Sequence, residues 1–472
     1  THINDYYKQT ICIIFKQFHM KKSLVTAIVI LLALVLGFAV YRFAFRKSIP
    51  DAPVSQQVAA ILEQNGCYSC HSGQDGTPFY AKLPFADPIL AHVEIGTRFW
   101  DLRREDLENP SEVLLSKLQH SVTSGNMPLV EYKLIHWGTG FNKAEKSLLT
   151  EWILSQRQER FATGTACEAY AQHALQPIPD SLATDIRKVT LGRKMYNEAR
   201  VSLDGTLSCA TCHVIDKGGA DSRGTRTSEG IYGQFGGINA PTVLNAAFNV
   251  EQFWNGRAHT LADQAAGPPV NPVEMGDQTW EQICERLKED ASLVAEFQSI
   301  YPEGITQATV TDAIAEYEKT LITPNDRLDQ MLKGDENALT EEEKKGLAAF
   351  MDNSCAVCHV GKTLGGQSFE TLGIYEDYYA AREQSNPDIA YNDDDKGLAG
   401  FTGDTADLHR FKVPGLRNIS KTSPYFHDGT QATIEDAVRA MFRFELGVKE
   451  APESDVASIS AFLRTLDGEI KK

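Results

Sequence analysis

The pentapeptide Cys-x-x-Cys-His occurs three times in this 472-residue chain and constrains it more than any other feature. The copies are Cys67-Tyr68-Ser69-Cys70-His71, Cys209-Ala210-Thr211-Cys212-His213 and Cys355-Ala356-Val357-Cys358-His359. Two thiols at this spacing reach the two vinyl groups of one haem, and the adjacent imidazole is placed to ligate its iron. Zinc would need four ligands per site, and a redox Cys-x-x-Cys pair does not need the histidine. The spacing therefore predicts three covalently bound haem c groups. They attach through Cys67 and Cys70, Cys209 and Cys212, and Cys355 and Cys358, with His71, His213 and His359 as iron ligands.

The motifs begin at near-equal intervals, at positions 67, 209 and 355, so each anchors about one domain of ordinary size. Helical periodicity precedes each motif: Val58 and Leu62, Leu191 and Met195, and Leu347 and Phe350 lie on one side of their segments. A capping box, Thr340 to Glu343, opens the last of these. Amphipathic helices are predicted to close the units over Lys143–Gln156, Val310–Leu321 and Asp455–Leu466. No strong strand alternation appears. The predicted fold is all-α: three cytochrome c-like haem domains in tandem, at 50–175, 180–335 and 336–472, after one N-terminal transmembrane helix. Gln176–Asp180 reads as the linker between the first two units.

The transmembrane helix is the uncharged run from Ser23 to Tyr41, whose length suits one bilayer span; a secretory signal is its rival. Both flanks are basic, so charge does not orient it. Haem is attached to this motif outside the cytoplasm. The reading is thus a single-pass protein of the bacterial inner membrane, held in the lipid bilayer by residues 23–41, with its haem domains in the periplasm. Met20-Lys21-Lys22 resembles a natural start, so residues 1–19 are read as a non-native or disordered extension. The formal net charge of -17 argues against nucleic acid as a partner. Outside the motifs lie Cys12, Cys167 and Cys284; the last two form a disulfide or stay as separate thiols, and sequence alone leaves both open.

Longer motifs follow in the second half. They are Asn239-Ala240-Pro241-Thr242-Val243-Leu244-Asn245, Gln252-Phe253-Trp254-Asn255-Gly256-Arg257, Pro272-Val273-Glu274-Met275, Lys412-Val413-Pro414-Gly415-Leu416-Arg417-Asn418 and Pro424-Tyr425-Phe426-His427-Asp428-Gly429. In these, residues 180–472 closely resemble the dihaem bacterial cytochrome c peroxidases. With the additional haem unit and the anchor, the chain after residue 20 resembles the membrane-bound trihaem quinol peroxidases.

The resemblance implies that the His213 haem is peroxidatic and the His359 haem is the high-potential electron-transfer site, with Met441 as its sixth ligand. It implies Glu274 as the acid–base residue, Gln264 as the distal-pocket glutamine and Trp254 as the tryptophan between the two haems. It further implies one Ca2+ held by the Asn239 side chain and the Thr422 and Pro424 carbonyls; oxygen donors of this kind suit calcium. In the first unit Met127 is the candidate sixth ligand, with His120 and His136 as rivals. Many dihaem enzymes close the resting peroxidatic haem with a histidine on the loop after its proximal ligand. Here that loop, Thr227–Gln234, contains none, leaving Tyr232 and Met275 as the groups able to approach the iron.

The implied activity is reduction of H2O2 to water with electrons from membrane quinol, passing from the first haem to the last and then to the middle one. A soluble cytochrome c is an alternative donor, which the acidic charge would suit. A pure electron-transfer cytochrome would need all three irons closed by protein ligands. A relative using the same dihaem core to oxidise a protein or organic substrate is a further alternative; one such group carries tyrosine at the high-potential haem, where this chain has Met441.

Overall fold

The computed structural model describes residues 24–38, 40–41, 47–73, 87–136 and 138–470. The extension at 1–19 and Cys12 lie outside the described residues, as do Ser23 and Ala39 of the predicted span. Residues 24–38 and 40–41 are helical, and large apolar side chains among them, including Leu24, Ile28, Leu32 and Phe38, are exposed. Among the described residues no helix is long and apolar enough to cross a membrane.

Among the described residues the three largest hydrophobic clusters lie one around each Cys-x-x-Cys-His motif. In the first, Val58, Ile61 and Leu62 of helix Val54–Gln64 meet Leu149, Trp152 and Ile153 of helix Lys143–Arg160 and Leu114, Leu115 and Leu118 of helix Glu112–Ser124. Asn142 and Glu145 cap the closing helix reciprocally. That helix outruns its predicted end at Gln156 because Arg157 is buried. The guanidinium bonds Glu112 Oε1 at 2.6 Å and Gln119 Oε1 at 2.8 Å, contacts that apolar periodicity cannot register.

The second and third clusters repeat one device. Helix Ile186–Tyr196 crosses helix Gln307–Glu318, and helix Glu341–Asp352 crosses helix Glu453–Leu463. A Cβ on Gly192 would stand 1.8 Å from Ala313 O, and one on Gly346 1.9 Å from Ser458 O, so only glycine permits each crossing. The closing helices begin earlier than their apolar patterns suggest, because the Thr306–Thr309 capping box starts one and Pro452 precedes the other. The predicted Thr340–Glu343 capping box is present.

Two features depart from the expectation. A two-stranded antiparallel ribbon pairs Phe369–Thr371 with Arg410–Lys412, each strand too short to show alternation. The predicted linker is pinned: Gln176 and Ile178 are buried, Arg417 Nη2 donates to Gln176 O at 3.1 Å, and Ile178 N donates to the Asp329 carboxylate at 3.3 Å. Cys167 and Cys284 are both free thiols; Cys284 is buried in the second cluster and Cys167 lies beside Gly334.

Candidate active site

Each motif histidine is fixed by a backbone carbonyl. His71 Nδ1 lies 2.9 Å from Gly96 O, His213 Nδ1 3.1 Å from Gly219 O, and His359 Nδ1 3.0 Å from Leu364 O. A carbonyl only accepts, so each Nδ1 carries the proton and each Nε2 keeps its lone pair for a metal. Burial holds all three imidazoles below the usual histidine range and therefore neutral.

A cavity of about 750 Å³ is lined by Cys209, Cys212 and His213 of one motif and by Cys355, Cys358 and His359 of the next. Two thiols and one oriented imidazole from each motif open onto the same hollow, which fits covalent haem at both. Trp254, Gln264, Glu274 and Met441 line this cavity too, as do Asn239, Thr422 and Pro424. Met441 projects into it from helix Ile434–Glu445. Trp254 is buried, donates Nε1–H to Asn239 O at 2.8 Å and meets Phe411 edge-on.

Glu274 follows the short turn after Pro268–Val270. Asn271 organises that turn: its Oδ1 accepts from Val273 N at 3.1 Å, and its Nδ2 donates to Glu274 Oε1 at 2.7 Å. Burial raises the Glu274 carboxyl above the usual range and nearby Asp394 adds to the rise; Arg257 and the Asn271 bond oppose it. The sequence did not point to Asn271 or Asp394. The Asn-Pro pair at 271–272 signals a turn but not the grip on Glu274.

The loop at 227–234 rests on the same segment, Ile231 N donating to Glu274 O at 2.8 Å. Tyr232 is 70% exposed and does not line the cavity, whereas Met275 is buried and borders it. Asn239 Nδ2 donates to Pro424 O at 2.7 Å and Phe426 O at 3.1 Å. The amide nitrogen thus faces these carbonyls, and a cation there would require a half-turn of the amide to present its oxygen.

The first motif lies outside this cavity. Helix Asp87–Phe99 closes over it at Gly96, where a Cβ would stand 2.6 Å from Cys70 O. Met127 occupies the partly exposed turn between helices Glu112–Ser124 and Val130–Ile135. Of its rivals, His120 Nε2 lies 3.1 Å from Ser354 Oγ, and His136 stacks on Tyr132 with ring centroids 3.9 Å apart.

The profile of the family described as di-haem cytochrome c peroxidase matches residues 186–337, and that of a haem-binding domain matches residues 43–155. The chain is 42% identical over 420 residues to cytochrome c peroxidase Ccp of Escherichia coli (strain K12), covering 88% of both chains. It is 40% identical over 301 residues to cytochrome c551 peroxidase of Nitrosomonas europaea, covering 63% of this chain and 85% of that relative. Among solved structures, a MauG-like protein associated with microbial copper homeostasis superposes with a TM-score of 0.54 at 28% identity, over 62% of this chain and 93% of that one. With a cavity shared by two haem-attachment motifs and a relative this similar over nearly its whole length, the chain belongs to the bacterial di-haem cytochrome c peroxidase family and is a haem peroxidase.

Proposed function

We propose that this chain is a membrane-anchored, periplasm-facing peroxidase with three haems, drawing electrons from quinol to reduce H2O2. The observation that carries the peroxidase chemistry is the convergence of His213, Gln264 and Glu274 on the cavity that also receives His359 and Met441. When bound, the haems supply one-electron relay and, at the His213 position, reduction of peroxide.

The chain's own residues supply orientation and protons. Overall, H2O2 takes up two electrons and two protons and leaves as two waters. Glu274 takes a proton from one peroxide oxygen and returns it to the departing one, for which a raised carboxyl is suited. Asn271 fixes the carboxylate that does so, and the Gln264 amide hydrogen-bonds the peroxide. Trp254, which lines the shared cavity, would lie between the two haems once they are bound. Asn239, Thr422 and Pro424 would hold one Ca2+ after the amide turn described above.

Entry of electrons at the His71 motif is supported by its construction, which repeats the carbonyl-oriented imidazole of the other two. Met127 is its proposed sixth ligand. The exposed apolar side chains between Leu24 and Tyr41 support an anchor, which would confine this first haem near lipid and its quinol.

Detergent-purified holoprotein is expected to oxidise quinol only when H2O2 is supplied. Turnover with reduced cytochrome c and none with quinol would replace the donor while keeping the peroxidase. No turnover with either overturns the reading.

With no histidine in the 227–234 loop and Tyr232 exposed, the resting His213 haem should lack a second histidine ligand. Electron paramagnetic resonance of the fully oxidised protein checks this, and a bis-histidine low-spin signal from that haem refutes it.

A further inference from the structure

The first haem unit meets the last one at several points, among them His120 against Ser354, Leu175 beside Gly361 and the end of helix Asp87–Phe99. Helix Asp87–Phe99 lies on the first motif, with Thr97 Oγ1 donating to Cys70 O at 3.3 Å and Gly96 O accepting from His71 Nδ1 at 2.9 Å. Its final residue, Phe99, lines the cavity that contains Cys358 and His359. One short helix end therefore spans the two haem-attachment sites.

Lys117, from helix Glu112–Ser124, clamps that end. Its Nζ donates to Phe99 O at 2.5 Å, lies 4.9 Å from the Phe99 ring centroid and pairs with Glu370 Oε2 at 2.8 Å. The side chains of the pair are only 5% and 14% exposed. Glu370 is the central residue of its ribbon strand, opposite Phe411, and so cannot drift. Glu370 also lines the cavity that contains Cys358 and His359. The pair is thus a buried ion pair joining two units at the wall of the cavity that contains Cys358 and His359.

We propose that Lys117 is a positioning residue for electron entry: through Phe99 and Glu370 it latches the first haem unit onto the electron-transfer haem site and sets that site's local charge. The inference rests on the reading that electrons enter at the His71 haem and move to the His359 haem, one lost by the first as the second gains it.

The test uses full-length holoprotein. The first haem is reduced in a flash by a photoactivated donor, and reduction of the His359 haem is followed optically, with potentiometry of each haem alongside. Lys117→Met should slow this internal transfer about tenfold or more, because removing one partner of a buried charge pair opens the docked contact. The swapped pair Lys117→Glu with Glu370→Lys should recover much of the rate.

The potentials separate charge from packing. Lys117→Met leaves a negative group beside the His359 haem and should lower its potential. Glu370→Gln leaves a positive one and should raise it. A purely structural latch would shift both the same way or neither, and that result overturns the charge role. Unchanged transfer in both single variants overturns the latch while leaving the electron path intact. If the parent protein shows no transfer from the first haem to the last, the path itself is wrong and the latch falls with it.

Discussion

Glu274→Gln is expected to lower the peroxidase turnover number by about a hundredfold to ten-thousandfold, the range that a positioned general acid–base group contributes. Glutamine keeps the size and can still accept a hydrogen bond from Asn271 Nδ2, which lies 2.7 Å from the present carboxylate, so the pocket should persist. What disappears is a group able to take a proton from one peroxide oxygen and release it to the other. Burial raises this carboxyl, and Glu274 lines the cavity. The parent enzyme should therefore show an acid limb in its rate–pH profile above the ordinary glutamate range, and the variant should lack it. Stopped-flow mixing with H2O2 across pH measures both. Reduction of the His359 haem by donor should be unaffected; equal losses in that step and in peroxide reduction would mean that Glu274 acts on the fold and not on the chemistry.

The second large effect concerns stability. Arg382→Met should destabilise the protein by about 3–5 kcal/mol, the usual consequence of removing one partner from a buried ion pair. Arg382 binds Asp395 with both terminal nitrogens, at 2.7 and 2.8 Å, and reaches Asp428 Oδ2 at 2.9 Å. All three side chains are buried. Tyr378 donates to Asp428 at 2.8 Å, and His427 Nε2 lies 2.9 Å from Asp395 Oδ1. Without the guanidinium, two carboxylates would face each other in a dry pocket.

The pH dependence of that loss has a definite sign. The Arg382 and His427 bonds overcome burial and hold Asp395 below its ordinary value. The stability it contributes is complete above the unfolded value, roughly 3.9, and is lost as pH falls below it. The difference between Arg382→Met and the parent should thus be greatest at neutral pH and shrink in strong acid. Denaturant unfolding at several pH values measures it. Arg382→Lys should recover little, because an ammonium cannot reproduce the paired bonds to Asp395. The segment at stake, Pro424–Gly429, carries the carbonyls that meet Asn239 at the cavity edge, so this network ties stability to the site.

Local chemistry is what the sequence by itself determined. Cys-x-x-Cys-His is complete within five consecutive residues, so haem attachment needs no knowledge of the fold. Apolar periodicity and the Thr340–Glu343 capping box act within a few turns of helix, and the helices before each motif are present in the structure. The family resemblance pointed to Glu274, Gln264, Trp254 and Met441 without giving their relation in space. Only the tertiary structure brings them to one cavity. It also decided what depends on groups far apart in the chain: the Lys117–Glu370 pair, the hold of Arg382 on Asp395 and Asp428, the pinned linker at Gln176 and Ile178, and the exposure of Tyr232. The physical reason is range. A turn, cap or haem motif is satisfied by neighbours in sequence, whereas a buried charge is stable only where the completed fold delivers its partner.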